Sequence, residues 1–129
     1  MTDHVAALCR ADFTRLTPDL PMREAITRLV RDNASVAPVL DTGGALVGIL
    51  SQKDCFRPAL HAAYYQQWTG TVADHMTREI VTLDAETDLI AAAECFLSQP
   101  FRAYPVTAGG QLVGLLHRSD LLAAFLRSG

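Results

Sequence analysis

The sequence predicts an α+β fold in which one helix–strand–strand–helix unit occurs twice and packs with pseudo-twofold symmetry. The first observation is an internal repeat: residues 43–54 read GGALVGILSQKD, residues 109–120 read GGQLVGLLHRSD, and seven of the twelve aligned positions are identical. Chance gives about one match in a window of this length. The second observation is that each copy places short apolar runs after a segment with helical periodicity. A repeat of mixed helix and strand therefore organises the chain.

The two copies align over most of the chain once a single insertion is allowed. The aspartates that end the two strings are 66 residues apart, whereas Pro38 and Pro105 upstream are 67 residues apart. The extra residue falls in a Gly-Gly turn, where an insertion has a low energetic cost. We therefore predict a first repeat at residues 1–68 and a second repeat at residues 69–129.

Each copy begins with a predicted helix. In the first copy, apolar residues recur at i, i+3, i+4, i+7 and i+8, which is the spacing of one helix face. Asp19 is placed to cap this helix, and Pro21 lies in its first turn. The second copy repeats the pattern between Asp88 and Ser98. The residues on the two predicted faces are Met22, Ala25, Ile26, Leu29 and Val30, then Leu89, Ala92, Ala93, Phe96 and Leu97.

Two short strands and a closing helix complete each copy. Aliphatic and β-branched runs at 36–40 and 45–50, joined by Asp-Thr-Gly-Gly, predict a hairpin. Two small sheets of this kind can share one core and leave equivalent clefts at the seam between the copies, where small ligands bind. The strands of the second copy are predicted at 103–107 and 112–116. The closing helices of the two copies are predicted at 54–68 and 119–127, and the extended segments that precede the copies at 14–16 and 80–83.

Composition excludes several functional classes. Half of the 129 residues are hydrophobic and 19% are charged, which excludes intrinsic disorder. A formal net charge of -3 without a basic run argues against nucleic-acid binding, and no apolar stretch reaches the roughly 18 residues of a membrane span. Because the N-terminal sequence also lacks a signal-peptide pattern, we predict a cytoplasmic protein that is not inserted in a membrane. The three cysteines are predicted to be buried thiols, and no metal-site spacing links them or His4, His61 and His75.

The repeated string resembles a known family. A helix followed by Pro-Val, Gly-Gly and Leu-Val-Gly-Ile-Leu-Ser-x-x-Asp is similar to a CBS domain, and two copies in tandem are similar to a CBS pair, or Bateman module. The resemblance covers about residues 8–127. Asp74-His-Met-Thr77, ahead of the second copy, is similar to the family's entry segment. Ala7-Leu-Cys-Arg10, ahead of the first copy, departs from it.

The resemblance implies a non-catalytic regulatory module with no required cofactor, which binds AMP, ADP, ATP or S-adenosylmethionine in clefts between the two repeats. In the family, the last aspartate of the string accepts both ribose hydroxyls, a role that falls on Asp54 and Asp120; a carboxylate can accept two adjacent O–H donors. Ser51 stands at the phosphate position, where the second copy has His117 followed by Arg118, which offer cationic contacts to phosphate. The adenine-lining positions before Pro-Val are Val36, Ala37, Ala103 and Tyr104.

The resemblance also implies protein partners. The family pairs such modules into homodimeric discs, so we expect a homodimer here, with Phe101, Tyr104 and Leu121–Phe125 as its apolar surface. The regulated partner is expected to be a separate, unidentified effector protein. A further aromatic group, predicted to cover either the core or a dimer face, consists of Tyr64, Tyr65 and Trp68.

Other interpretations stay open at this point. Asp54 and Asp120 can instead cap the helices that follow them, because aspartate is a preferred N-cap residue. The altered entry segment and His117 favour a ligand-free module that docks to an enzyme, transporter or regulator. A small enzyme that uses Cys55 or His117 is the third alternative, although the sequence contains no arrangement of catalytic groups that supports it.

Overall fold

The computed structural model describes the backbone of residues 3–128 and the side chains of residues 3–127; residues 1, 2 and 129, which the predicted repeats include, lie outside the described residues. The chain divides into two units, each with its own hydrophobic core. One unit is continuous in sequence, Thr14–Ile80, and is called the contiguous unit. The other joins Met1–Phe13 to Val81–Gly129 and is called the composite unit.

The contiguous unit is built around a two-stranded antiparallel hairpin. The register pairs Val36 with Ser51, and Leu16 on the preceding segment forms a single parallel bridge with Val39. A 3-10 turn at Lys53–Cys55 leads from the second strand into the following helix. The elements in chain order are α1 (Met22–Arg31), β1 (Val36–Leu40), β2 (Leu46–Ser51), α2 (Phe56–Tyr65) and α3 (Val72–His75).

The composite unit repeats this plan with one more strand. Leu83 and Asp84 pair parallel with the first strand of the hairpin, which gives a three-stranded sheet. A 3-10 turn at Val5–Ala7 contributes the fully buried Val5 to this unit's core. The elements in chain order are β3 (Leu83–Asp84), α4 (Leu89–Ser98), β4 (Ala103–Ala108), β5 (Gln111–His117) and α5 (Arg118–Ser128).

The predicted α+β class and both hairpins are confirmed, with all four strands within one residue of their expected ends. The predicted helix faces are confirmed at their centres, where Met22, Leu29 and Leu89 are buried. Val30 and Leu97 were also predicted on those faces, but their side chains are 70% and 89% exposed. Each occupies the i+8 position, which lies at the edge of the apolar stripe.

Two predictions about helix ends are wrong. Asp19 does not cap α1: Pro21 occupies the N-cap position, and Asp19 accepts a hydrogen bond from Thr17. The helix predicted at 54–68 ends at Tyr65, because Gln66 adopts a left-handed conformation with φ of 55°. Trp68 therefore lies outside the helix. In the second copy, Asp88 does cap its helix, with its carboxylate accepting from the N–H of Ala91 at 2.8 Å.

The compact units do not follow the order of the repeats along the chain. The N–H and carbonyl of Arg10 bond to the carbonyl and N–H of Leu115 at 2.8 and 3.0 Å. Thr77 makes the same two bonds to Ile49, also at 2.8 and 3.0 Å. Each hairpin is thus bordered by the entry segment that precedes the other repeat in sequence. The physical reason is that the second strand of each hairpin exposes backbone groups that need a partner.

Glycine makes this close approach possible in both units. A Cβ on Gly114 would lie 2.7 Å from the carbonyl oxygen of Arg10 and 2.8 Å from the sulfur of Cys9. A Cβ on Gly48 would lie 2.5 Å from the sulfur of Met76. The obstacle is backbone at Gly114, whereas at Gly48 the nearest atom belongs to a flexible side chain. The two positions are equivalent in the repeat, so the sequence retains glycine where the entry segment crosses the strand.

We expect Gly114→Ala to lower the free energy of unfolding by about 1–3 kcal/mol, because the backbone of Arg10 cannot move away cheaply. Gly48→Ala should cost less, since Met76 can change rotamer. Gly43→Ala is the control, because its Cβ would meet only Asp41 Oδ1 at 3.4 Å. Urea denaturation of the three variants measures the differences. Equal stability of Gly114→Ala and Gly43→Ala would contradict the prediction.

Candidate functional site

In the contiguous unit, the candidate site lies where β2 ends. Asp54 Oδ2 accepts from the backbone N–H of Ser51 at 2.9 Å, and the N–H of Asp54 donates to Ser51 Oγ at 3.2 Å. These reciprocal bonds have the pattern of a capping box in which Ser51 takes the N-cap role. The prediction that Asp54 is itself an N-cap residue is wrong, because the N-cap positions are Gln52 for the 3-10 turn and Cys55 for α2. The two bonds use one of the roughly four acceptor positions of the carboxylate. Capping therefore leaves Asp54 able to accept further hydrogen bonds.

The predicted adenine-lining residues lie beside this turn. Val36 stands directly opposite Ser51 in the hairpin and is half-buried, and Ala37 behind it is fully buried. A half-buried Asp54 side chain completes the group. The contiguous unit thus brings together a carboxylate, a hydroxyl and apolar backbone at one end of one hairpin.

In the composite unit, Asp120 is held by a residue that the sequence analysis did not identify as part of the site. Arg10 Nε and Nη2 donate to Asp120 Oδ2 and Oδ1 at 2.7 and 2.9 Å, which is a bidentate ion pair. The hydrogen bond from Arg10 holds the pKa of the Asp120 carboxyl below its ordinary value. The same bond raises the pKa of Arg10. The signal in the sequence that could have identified Arg10 was that residues Ala7–Arg10 depart from the family's entry segment.

His117 replaces the capping serine in this unit. It lies opposite Ala103 in the hairpin, as Ser51 lies opposite Val36. Burial, followed by the positive charge of Arg10, lowers the pKa of His117, which disfavours the charged imidazole. Arg118, the first residue of α5, is exposed. Of the predicted cationic pair, the guanidinium of Arg118 is thus the accessible cation.

Tyr104 is a core residue. Its side chain is fully buried, its hydroxyl donates to the carbonyl of Cys95 at 2.8 Å, and its ring packs edge-on against Phe96. The whole residue is buried, so its predicted place on a dimer surface is wrong. Leu121, also assigned to that surface, is 3% exposed and lies in the same core. Tyr64 and Tyr65 were predicted to cover either the core or a dimer face; at 80% and 71% exposed they do not cover the core, and the dimer face stays a prediction.

The cysteines differ in burial. Cys55 is buried as predicted, whereas Cys9 and Cys95 are only half-buried. Burial, followed by the negative charge of Asp54, raises the pKa of the Cys55 thiol to about 11. Its sulfur donates to the carbonyl of Ser51 at 3.4 Å. Among residues 3–128, no three histidine, cysteine or acidic side chains lie close enough together to hold a metal ion. In the same part of the chain, no helix has the length and hydropathy needed to cross a membrane.

Comparison with known proteins gives consistent matches. The CBS domain model matches residues 5–60 and 72–127. The crystal structure of the CBS-pair protein CBSX2 from Arabidopsis thaliana has a TM-score of 0.86 and 25% sequence identity, covering 99% of this chain and 97% of that chain. A structure of CBSX2 in complex with AMP has a TM-score of 0.84 and 27% identity, covering 97% of each chain.

Curated relatives match at 21–32% identity. An uncharacterized 17.7 kDa protein of Acidianus ambivalens is 24% identical over 127 residues, which cover 98% of this chain and 75% of the relative. The chain spans only 42% and 12% of the lengths of two further relatives, the latter an A-adding tRNA nucleotidyltransferase of Geobacter sulfurreducens. Since the family model matches most of the sequence and the solved CBS pairs share its fold, the chain belongs to the CBS domain family and contains two CBS domains in tandem.

Proposed function

We propose that the chain is a non-catalytic regulatory module that binds an adenine nucleotide, with AMP as the first candidate and ADP, ATP and S-adenosylmethionine as the others. The capping box that holds Asp54 at the end of β2 carries the proposal. It fixes a carboxylate with unused acceptor positions next to the Ser51 hydroxyl. The AMP complex of the similar CBSX2 supports the choice of ligand.

Each residue of the contiguous unit has a role in this proposal. Asp54 accepts hydrogen bonds from the two ribose hydroxyls, because its two oxygens match two adjacent O–H donors. Ser51 Oγ can still donate its own proton, since it acts as an acceptor toward the N–H of Asp54. That proton is directed to a phosphate oxygen. Val36, which is half-buried, provides backbone groups and apolar surface for the adenine ring, whereas Ala37 is fully buried behind it.

The corresponding position of the composite unit is formed by Asp120 with His117, Arg118 and Ala103. The ligand-free docking module remains the alternative function. The observation that favours it is the Arg10 ion pair, which already occupies the Asp120 carboxylate. A separate effector protein and a cytoplasmic location stay predictions under both functions.

We expect AMP at 100 times its Kd to stabilise the protein by about 2.7 kcal/mol, which raises Tm by several degrees. Asp54→Asn should raise the Kd of the contiguous-unit site by about tenfold, because the amide keeps an acceptor for Ser51 and loses the charge. Thermal-shift assays followed by calorimetric titration with the four ligands measure both effects.

Glu79→Gln is the matched control for loss of one negative charge, because Glu79 is exposed and belongs to the same unit. It should leave the Kd unchanged. Absence of binding by all four ligands to the unsubstituted protein would reject nucleotide binding and favour the docking module. Equal Kd values for Asp54→Asn and Glu79→Gln would reject the role of Asp54.

The protonated state of Cys55 supports the non-catalytic part of the proposal, because the thiolate is the nucleophilic form. With a pKa of about 11, Cys55 should react with iodoacetamide at pH 8 about 100-fold more slowly than an ordinary free thiol. Mass spectrometry of Cys9→Ala/Cys95→Ala protein measures the rate, with N-acetylcysteine as the reference. A rate equal to that of the reference would reopen the assignment of Cys55 as a nucleophile.

We further propose that the protein forms a homodimer through helix surfaces that both repeats expose. In the contiguous unit, Val30 and Phe56 line an apolar groove of about 210 Å³ between α1 and α2. Large apolar side chains at least 57% exposed occupy the same three repeat positions in both units: Val30 and Leu97, Phe56 and Leu122, and Leu60 and Leu126. Such repeated exposure is typical of an interface rather than of a monomer surface.

Leu97→Glu/Leu122→Glu is expected to convert the dimer to a monomer, because each buried carboxylate would lack a partner in the interface. Sedimentation velocity measures the change. Val81→Glu serves as the control, since Val81 is 46% exposed and lies outside the repeated positions. A monomer at high micromolar concentration in the unsubstituted protein would contradict the homodimer.

A further inference from the structure

We propose that Arg10 makes the Asp120 site of the composite unit selective for ligands that carry a phosphate group. The inference rests on the proposed nucleotide-binding function and deepens it, because it assigns the two CBS domains different preferences for a phosphate group. It concerns a residue outside the repeated string, and its basis is the geometry of the ion pair between Arg10 and Asp120.

Arg10 is held at its backbone and at its side chain. Its backbone N–H and carbonyl are hydrogen-bonded to Leu115 on β5, and its guanidinium donates to both oxygens of Asp120. The approach of this segment requires Gly114. Arg10 is therefore a preorganised cation whose position depends on the same strand that leads to Asp120.

The pair changes what the carboxylate can recognise. A ribose hydroxyl that approaches Asp120 meets an acceptor whose charge is already balanced, so ribose binding alone gains less there. Three of the five guanidinium N–H groups lie outside the Asp120 pair, and 54% of the Arg10 side chain is exposed. A phosphate oxygen can accept those donors in the charge-assisted geometry that arginine favours. The exposed Arg118 adds a second cation to the same unit.

The contiguous unit has no such cation at the equivalent place. Thr77 holds the position of Arg10 there, with the same two backbone bonds to the preceding strand. Within the described residues, the three ion pairs are Arg10–Asp120, Arg28–Glu24 and Arg31–Asp32, and Asp54 belongs to none of them. At the Asp54 site a phosphate group is offered only the neutral hydroxyl of Ser51, so phosphorylated ligands gain less there. The two CBS domains therefore differ in how strongly they select for phosphate, through one position of the entry segment.

Calorimetric titration with AMP and with adenosine tests this directly, because the two ligands differ by the phosphate alone. The Asp54→Asn protein reports the Asp120 site and should prefer AMP. Adding Arg10→Thr, which introduces the residue type of the other repeat, should reduce the AMP-to-adenosine affinity ratio by about tenfold. The reciprocal Thr77→Arg change in Asp120→Asn protein should increase the ratio at the Asp54 site. Arg23→Thr, an exposed arginine on α1, is the control and should leave both ratios unchanged.

The outcomes separate the two proposals. An unchanged ratio in Arg10→Thr, with melting showing a folded protein, overturns the role of Arg10 while nucleotide binding stands. If AMP binds to the Asp120→Asn protein but not to the Asp54→Asn protein, the role of Arg10 is also overturned, since the Asp120 site then takes no ligand. Absence of binding to the unsubstituted protein overturns this inference together with the proposed function.

Discussion

The close approach of an entry segment to a glycine in the second strand of each hairpin is the constraint on which the sites depend. At Gly114 the crossing backbone of Arg10 leaves no room for a Cβ, and at Gly48 the nearest obstacle is the side chain of Met76. The approach satisfies backbone groups on the strand edge, and it also fixes which side chain reaches the end of that strand. Thr77 and Arg10 occupy that place in the two units. A packing requirement thus determines the chemistry available to the neighbouring aspartate.

The two units provide the equivalent aspartates, Asp54 and Asp120, with different hydrogen-bond partners. Asp54 is held within its own turn by Ser51, with neutral donors that salt does not screen. In the composite unit, His117 stands at the position of Ser51 and has no hydroxyl for a capping box. Asp120 is held instead by a partly exposed ion pair with Arg10. Exposed ion pairs are weak and depend on ionic strength. One carboxylate is therefore part of a rigid turn, and the other has a partner that a competing anion can engage.

Much of the fold could be predicted from the sequence because its information is local. The strands follow from short β-branched runs around Gly-Gly turns, and the cap at Asp88 follows from its position before an apolar period. The edge positions Val30 and Leu97 were misassigned, because periodicity alone does not say how far packing extends around a helix. The Arg10–Asp120 pair could not be predicted from one sequence, since its partners are 110 residues apart. The signal in the sequence was that Arg10 stands where the other repeat has Thr77.

The composite unit also sets an order for assembly during synthesis. The contiguous unit is complete once residue 80 has been made, so a nascent chain can fold it early. Arg10 precedes the contiguous unit in sequence, yet its partners Leu115 and Asp120 lie on β5 and α5, more than 100 residues later. Closing so long a loop is slow relative to forming the local hairpin. The segment around Arg10 is thus made before the contiguous unit but reaches its final position after it.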